Sequence, residues 1–325
     1  MIRLKGIVEG VGEMSEASKT VSRKRRAMLL MVITACMWSL GGLFIKLISW
    51  SPFMIAGVRS IIAGGIMAAY MKKESVAFKL NRYSLFAGIG LGLSATLFTV
   101  ANKLTTAANA IVLQYTAPVF ILILSAILFR EKMKKKEVGV VLVTMAGMVL
   151  FFLDQLSPGN VVGNILGILA GVFLGLMFVM VGKGGDDDST RMSGILIAHT
   201  ITLLIGLPLG MAGVMSGSAV AAGGAAASSA VATGASLGLE ILYVVILGVF
   251  QLGIPYVLYG IASRDCSPLA CYLIGMLEPL LNPVWVAIFT GEVPGMFAMA
   301  GAVVIIATVT WWCVQESRDA AALDP

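Results

Sequence analysis

The chain has 325 residues, of which 58% are hydrophobic and only 12% charged, with a net charge of +6 and a mean hydropathy of +0.95. A soluble domain carries about 25% charged residues, so a soluble fold of this length is excluded and lipid must cover the apolar surface. The positive balance does not indicate nucleic acid, because the basic residues stand in short loops beside apolar segments instead of forming one patch.

Ten apolar segments follow one another, most of them about 20 residues long, the length that takes a helix across a bilayer core. They span 27–48, 53–71, 83–102, 106–129, 138–153, 161–182, 192–215, 237–262, 268–290 and 294–314. The runs lack the polar/apolar alternation of a barrel strand, and in lipid a helix satisfies every backbone group within its own segment. The first segment is too long for a signal-peptide core and no small-residue cleavage site follows it, so it is expected to be retained. Residues 1–26 and 315–325 read as weakly structured polar tails. The Ala/Gly/Ser/Val-rich stretch 216–236 reads as a low-complexity outer loop, or as a helix extension, since alanine favours helix. Cys36, Cys266, Cys271 and Cys313 show no metal spacing and are expected to be free.

Ten crossings put both termini on one side, and charge chooses the side. Twenty of the 23 Lys and Arg fall in the N-terminal tail, the loops after the second, fourth, sixth and eighth segments, and the C-terminal tail. The opposite face carries Lys103 alone, while Lys46 and Arg59 lie within helices. Positive residues stay inside, so both termini are expected in the cytoplasm and the chain in the inner or plasma membrane.

The two halves resemble each other. Pro118 precedes Glu131 by the same 13 residues that separate Pro279 from Glu292, and the common offset of 161 also superposes Ala126 on Ala287 and Ile127 on Ile288. An odd number of helices per repeat inverts the second half. The expected units are 27–153 and 161–314, and inverted repeats of this kind place a substrate site near the bilayer midplane. Gly167, Gly171 and Gly175, and likewise Gly88 and Gly92, recur at four-residue spacing that lets helix backbones approach closely, within one chain or at a dimer face. Glu131 and Glu292 stand just before the next helices, where a carboxylate is favoured as a cap.

The first segment reads Trp38-Ser39-Leu40-Gly41-Gly42-Leu43-Phe44-Ile45-Lys46, and the second carries Ser51-Pro52 and then Arg59. The fourth gives Ala117-Pro118-Val119-Phe120 and ends near Glu131, and the ninth gives Leu277-Glu278-Pro279-Leu280 and ends Gly291-Glu292. In order and spacing this resembles the drug/metabolite transporter superfamily, in its EamA-type branch of ten-helix proteins, over nearly the whole of residues 27–313. The resemblance implies a secondary transporter of small organic molecules, often an exporter of amino acids or other metabolites. The second half departs from the pattern: the sixth segment lacks the aromatic-serine opening and the seventh has His199 where the second has Arg59.

Glu278 is the leading site candidate, because it lies about 16 Å into its segment at 1.5 Å per residue. A charge at that depth costs about 3 kcal/mol on insertion scales unless it is paired, protonated or wet. It is read either as a carrier of a proton or partner of a cationic group, or as a structural carboxyl bonded to a neighbouring helix. Arg59 either binds a substrate carboxylate, pairs with an acidic side chain, or snorkels outward. Trp38, at mid-depth beside Ser39, forms either a cavity wall or ordinary helix packing. Gln114 and Tyr115, Gln251, Tyr256 and Tyr259, and Tyr272 and Asn282 add polar groups at similar depth, as cavity lining or as interhelical hydrogen-bonders. Pro118 and Pro279 mark bends, hinges or static shapes alike. His199, the only histidine, is read as a proton shuttle or as a structural residue, and with no visible partner it stays outside the candidate set.

The expected fold is therefore an all-α polytopic membrane protein of ten transmembrane helices in two inverted five-helix repeats. The expected function is secondary active transport of a small organic metabolite, amino-acid-like or drug-like, by alternating access and in the export direction. Its partners are that small molecule, the lipid bilayer and a coupling proton, with no nucleic acid, and the assembly is a monomer or a homodimer. No cofactor or metal is expected and no enzyme activity. A lipid-handling membrane enzyme would need clustered acid, base or metal ligands, and the chain has no HExxH, no paired histidine and no acidic run but Asp186-Asp187-Asp188. An importer or an uncoupled facilitator is the rival within transport.

Overall fold

The protein is described here from a computed structural model, which describes residues 2–158, 160–184, 187–216, 236–290 and 295–322. Among these residues every regular element is helical. In chain order they are α1 (Ile2–Trp38), α2 (Leu40–Lys46), α3 (Pro52–Lys73), α4 (Arg82–Leu104), α5 (Ala107–Gln114), α6 (Ala117–Phe129), α7 (Lys135–Phe151), α8 (Val161–Lys183), α9 (Asp188–Ser216), α10 (Leu237–Ile246), α11 (Ile254–Ala262), α12 (Pro268–Gly275), α13 (Leu277–Thr290) and α14 (Met296–Ala322). A π-helical turn, Leu247–Gly253, joins α10 to α11.

Local chemistry starts these helices where the sequence breaks its apolar runs. Ser51 accepts a hydrogen bond from the Met54 amide (3.2 Å) ahead of Pro52 in the first turn of α3. Asn81 accepts from the Tyr83 and Ser84 amides and opens α4 with a capping box. Two elements differ from expectation at their ends. The helix α1 begins at Ile2, where a weakly structured tail is expected, and α14 runs on to Ala322. The Lys, Arg, Glu, Ala and Met of these flanks are good helix formers, so nothing stops the helix at the edge of the apolar run. Residues 217–235, most of the expected outer loop, lie outside the described residues.

Seven helical stretches are long and apolar enough to cross a membrane: Pro52–Lys73, Arg82–Asn102, Ala108–Phe129, Val161–Lys183, Asp188–Ala212, Leu237–Ala262 and Met296–Asp319. The chain is a multi-pass membrane protein on this basis. The other three expected segments are broken or short. The first is interrupted at Ser39, the fifth is the 17-residue α7, and the ninth holds the shorter apolar helix Pro268–Leu281 and is split at Met276. Large apolar side chains such as Leu29, Ile127, Leu204, Ile288 and Val303 face outward, as a lipid-covered surface requires.

Packing runs in pairs. The helix α3 lies along α9, α4 along both α8 and α9, α1 along α11 and α7 along α14. Glycines set the closeness of these contacts. A Cβ on Gly206 would sit 2.9 Å from the Gly57 amide nitrogen, so α3 and α9 meet backbone to backbone. Gly167, Gly171 and Gly175 turn toward α5 and α6, and Gly92 toward Ile201 of α9, so these stripes serve intramolecular packing.

Ion pairs gather at one end of the bundle. Lys79 bonds Asp187 at 2.7 Å, Lys183 pairs with Glu131, Arg264 with Asp188 (4.0 Å), Lys24 with Glu316 (3.8 Å) and Lys136 with Asp319 (3.8 Å). These pairs tie the loops after α3, α6, α8 and α11 to one another and α1 to α14, so these loops and the two terminal helices share a face. Glu131 is a partner of Lys183 and not a helix cap, since Glu137 accepts the Lys134 amide at the start of α7 (3.2 Å). Glu292 lies outside the described residues. At the opposite end, Glu240 accepts the Ser49 amide (2.9 Å) and the Trp50 indole N–H (3.0 Å). There Thr105 also donates to Asn164 (2.7 Å).

Candidate functional site

Four departures from regular helix converge in the interior. α1 gives way to α2 at Ser39, α5 to α6 at Tyr115–Thr116, α12 to α13 at Met276, and α10 reaches α11 through the π turn. Irregular backbone at membrane depth is tolerated where protein buries it or where it lines a cavity. Two of the breaks correspond: α5 (107–114) and α12 (268–275) have both bounds 161 residues apart. Their caps correspond too, Thr106 accepting the Asn109 amide and Ser267 the Ala270 amide, each at 3.2 Å. Pro118 and Pro279 sit in the first turns of the helices after the breaks. A proline there removes an N–H that helix continuation would need.

Glu278 is in the first turn of α13. The N-terminus of a helix favours a carboxylate, which explains how one is held at this depth. The hydroxyl of Tyr115, the residue at the other break, is turned to that carboxylate as a hydrogen-bond donor, and Tyr256, Tyr272 and Arg59 lie within its electrostatic reach. Arg59 donates from Nη1 to Gln251 Oε1 at 2.8 Å. Gln251 belongs to the π turn, whose extra residue carries its side chain toward α3. Its other amide atom makes a long contact of 3.5 Å to the Trp38 carbonyl. Among the described residues no ion pair joins Arg59 to Glu278.

Aromatic rings wall this place. Trp38 packs on Tyr256 (centroids 5.3 Å apart) and Tyr259 (6.2 Å), Tyr115 on Tyr272 (6.0 Å), and Phe178 stands edge-on between Tyr259 (5.2 Å) and Tyr272 (5.0 Å). Arg59, Tyr115, Tyr256 and Glu278 are surrounded by protein, yet each keeps some accessible surface. Trp38, Gln251, Tyr259 and Tyr272 are buried beside them.

Most of the expected residues therefore meet. Trp38, Arg59, Tyr115, Gln251, Tyr256, Tyr259, Tyr272 and Glu278 form one cluster. Ser39 is attached to it through the Trp285 indole, which donates to Ser39 Oγ at 2.8 Å while Ser39 donates to the Cys36 carbonyl. Gln114 is turned elsewhere, toward Ser94 Oγ (3.3 Å), which itself donates to the Ala170 carbonyl. The side chain of Asn282 lies outside the described residues. Three members lay outside the candidate set. Trp285 follows Glu278 by seven residues and so shares its helix face, a signal that was available. Phe178 and His199 carried none, being an apolar residue in an apolar run and a lone histidine. The four cysteines are free, and the described residues contain no group of three or more His, Cys, Asp or Glu placed to hold a metal.

A comparison with curated proteins finds no match. A solved protein crystal structure is similar in fold, with a TM-score of 0.70 over 87% of this chain and 95% of its own, at 18% identity. Residues 25–153, which coincide with the first expected repeat, match the model of the EamA-like transporter family. Over those residues the chain is similar to the EamA-like transporter family, in keeping with the drug/metabolite transporter superfamily that its motifs resemble.

Proposed function

We propose that the protein is a secondary active transporter that exports a small, amino-acid-like metabolite across the cytoplasmic membrane by alternating access. In this reading the chain crosses ten times as two inverted five-helix repeats, 27–153 and 161–314. Residues 1–26 and 315–325 face the cytoplasm and 216–236 faces outward. The shared offset of α5 and α12 and of their caps supports the duplication. So does the packing: exchanging the halves turns the α4–α8 contact into the α1–α11 contact and maps α3–α9 and α7–α14 onto themselves. The basic end with its ion pairs supports a cytoplasmic assignment for both termini.

The observation that carries the functional reading is that Arg59 and Glu278 belong to one partly accessible cluster without an ion pair between them, a cluster read here as the lining of a recess. Two opposite charges kept apart by phenols and an amide match a zwitterion, its carboxylate toward Arg59 and its ammonium toward Glu278. Trp38 and Tyr115 then meet the apolar body. Tyr256, Tyr259, Tyr272, Gln251, Ser39, Gln114 and Asn282 complete the proposed set, with Pro118 and Pro279 as hinges between half-helices. Glu278 is also the group that would take up the coupling proton while the substrate is absent.

Counterflow of labelled amino acids into proteoliposomes tests this. Glu278→Gln and Arg59→Ala are expected to lower uptake about 100-fold, since each leaves a charge of the substrate unpaired in a recess shielded from water. Folded variants with wild-type uptake and affinity would remove both residues from the site. Flux under imposed pH gradients separates proton-coupled export from facilitation.

A further inference from the structure

Buried polar atoms without a hydrogen-bond partner are few in native proteins, and each costs about 1–3 kcal/mol. Among the described residues four of them belong to side chains in or against this cluster: Trp38 Nε1, Arg59 Nε, His199 Nε2 and the Tyr272 hydroxyl. They come from α1, α3, α9 and α12, so no single misfit of one helix leaves them bare. The indole and guanidinium nitrogens are donors only, and the phenol and imidazole are able to donate. A recess with this surplus of donors suits an acceptor-rich group.

His199 is the member with no role so far. It is 4% exposed and lies about 16 Å along α9 at 1.5 Å per residue. Its ring stands edge-on to Tyr256, with centroids 5.2 Å apart and planes at 86°. It lies within reach of the Arg59 charge, and α3 passes close by, where a Cβ on Gly64 would sit 3.6 Å from the His199 Cβ. Tyr256, against which it packs, is also within electrostatic reach of Glu278, whereas His199 is within reach of Arg59.

We propose that His199 is a second ligand for the substrate's carboxylate, donating from Nε2 beside Arg59, so that the α3–α9 side of the recess is an anion pole and the α13 side a cation pole. The inference rests on the transporter reading and deepens it: the cargo must carry a carboxylate, and an amine without one is a poorer substrate.

Three probes with one apolar body separate the poles: L-leucine, 3-methylbutylamine, which lacks the carboxylate, and 4-methylpentanoate, which lacks the ammonium. Binding and counterflow are measured on the full chain in proteoliposomes. The wild type should take L-leucine best. His199→Phe keeps a ring against Tyr256 but no donor. It should weaken L-leucine and 4-methylpentanoate about tenfold, the effect of one hydrogen bond to a charged group, and leave 3-methylbutylamine unchanged. His199→Gln, which restores an N–H, should recover part of the loss. An equal loss for all three probes, or none for any, overturns the proposal. A wild type that carries only 3-methylbutylamine also overturns it while transport itself stands, whereas a wild type that binds and carries none of the three overturns both readings.

Discussion

Charged side chains inside this protein are tolerated only where a neighbouring group offsets the loss of water. Glu278 has a helix N-terminus and the Tyr115 hydroxyl, and Arg59 has the Gln251 amide. Glu240 shows the same economy at the end of the bundle away from the ion pairs. It is 7% exposed, and its two oxygens hold the Ser49 amide and the Trp50 indole, 191 and 190 residues away in sequence. Glu240→Ala would leave both donors without their acceptor. We expect a loss of about 1–3 kcal/mol, read as a lower melting temperature in detergent together with altered Trp50 fluorescence. A variant that melts with the wild type would mean that water replaces the carboxylate without cost.

Helices here are specified as much by their interruptions as by their apolar runs. Prolines at 118 and 279 and the small residues of α8 act together, because a broken helix needs a neighbour that comes close enough to cover the break. Gly171 provides that closeness: an added Cβ would lie 2.8 Å from Thr116 Oγ1 and 2.9 Å from the Gln114 carbonyl, at the α5/α6 break itself. Gly171→Ala should therefore destabilise the protein by about 1–3 kcal/mol. Gly139→Ala, on α7 with open space where the methyl would go, should leave the melting temperature unchanged or raise it slightly, since alanine favours helix. Equal behaviour of the two variants would contradict the packing of α8 on that break. Prolines and glycines mark these places in the sequence. The π turn is different: no residue type announces it, and it follows from the fit of α10 and α11 against α3.

For the molecule as a whole, the two halves are clasped at the basic end by ion pairs between loops distant in sequence. Lys79 and Asp187 form the pair with the clearest consequence. The hydrogen bond from Lys79, helped by those from Thr190 and the Ser189 amide, outweighs the opposing cost of burial and holds the Asp187 carboxyl at about 2, below its ordinary 3.8. Because the folded value is the lower one, the contribution is complete above the ordinary carboxylate range and is lost as pH falls through about 2. The pair is partly exposed, so the effect is small and salt-dependent. Asp187→Asn should flatten the decline in melting temperature between about pH 4 and pH 2 and change little at pH 7. An undiminished acid decline would assign it to other groups.

Apolar run lengths, the partition of lysine and arginine, and the recurrence of proline at a fixed spacing are properties of the chain in one dimension. They sufficed for a helical multi-pass membrane protein, for a family resemblance that a family model matches over residues 25–153, and for the residue types a polar recess would use. They also led to Glu278, Arg59 and the tyrosines, because a polar group deep in an apolar segment is conspicuous without any structure. Which of those groups meet depended on helix rotation and on where each helix breaks. Both are decided by contacts between segments more than a hundred residues apart, as when Gln251 reaches Arg59 and Trp285 reaches Ser39. Gln114 turned away and His199 turned inward for the same reason: in an almost uniformly apolar helix, hydropathy hardly distinguishes the face toward lipid from the face toward protein, and only the neighbouring helices do.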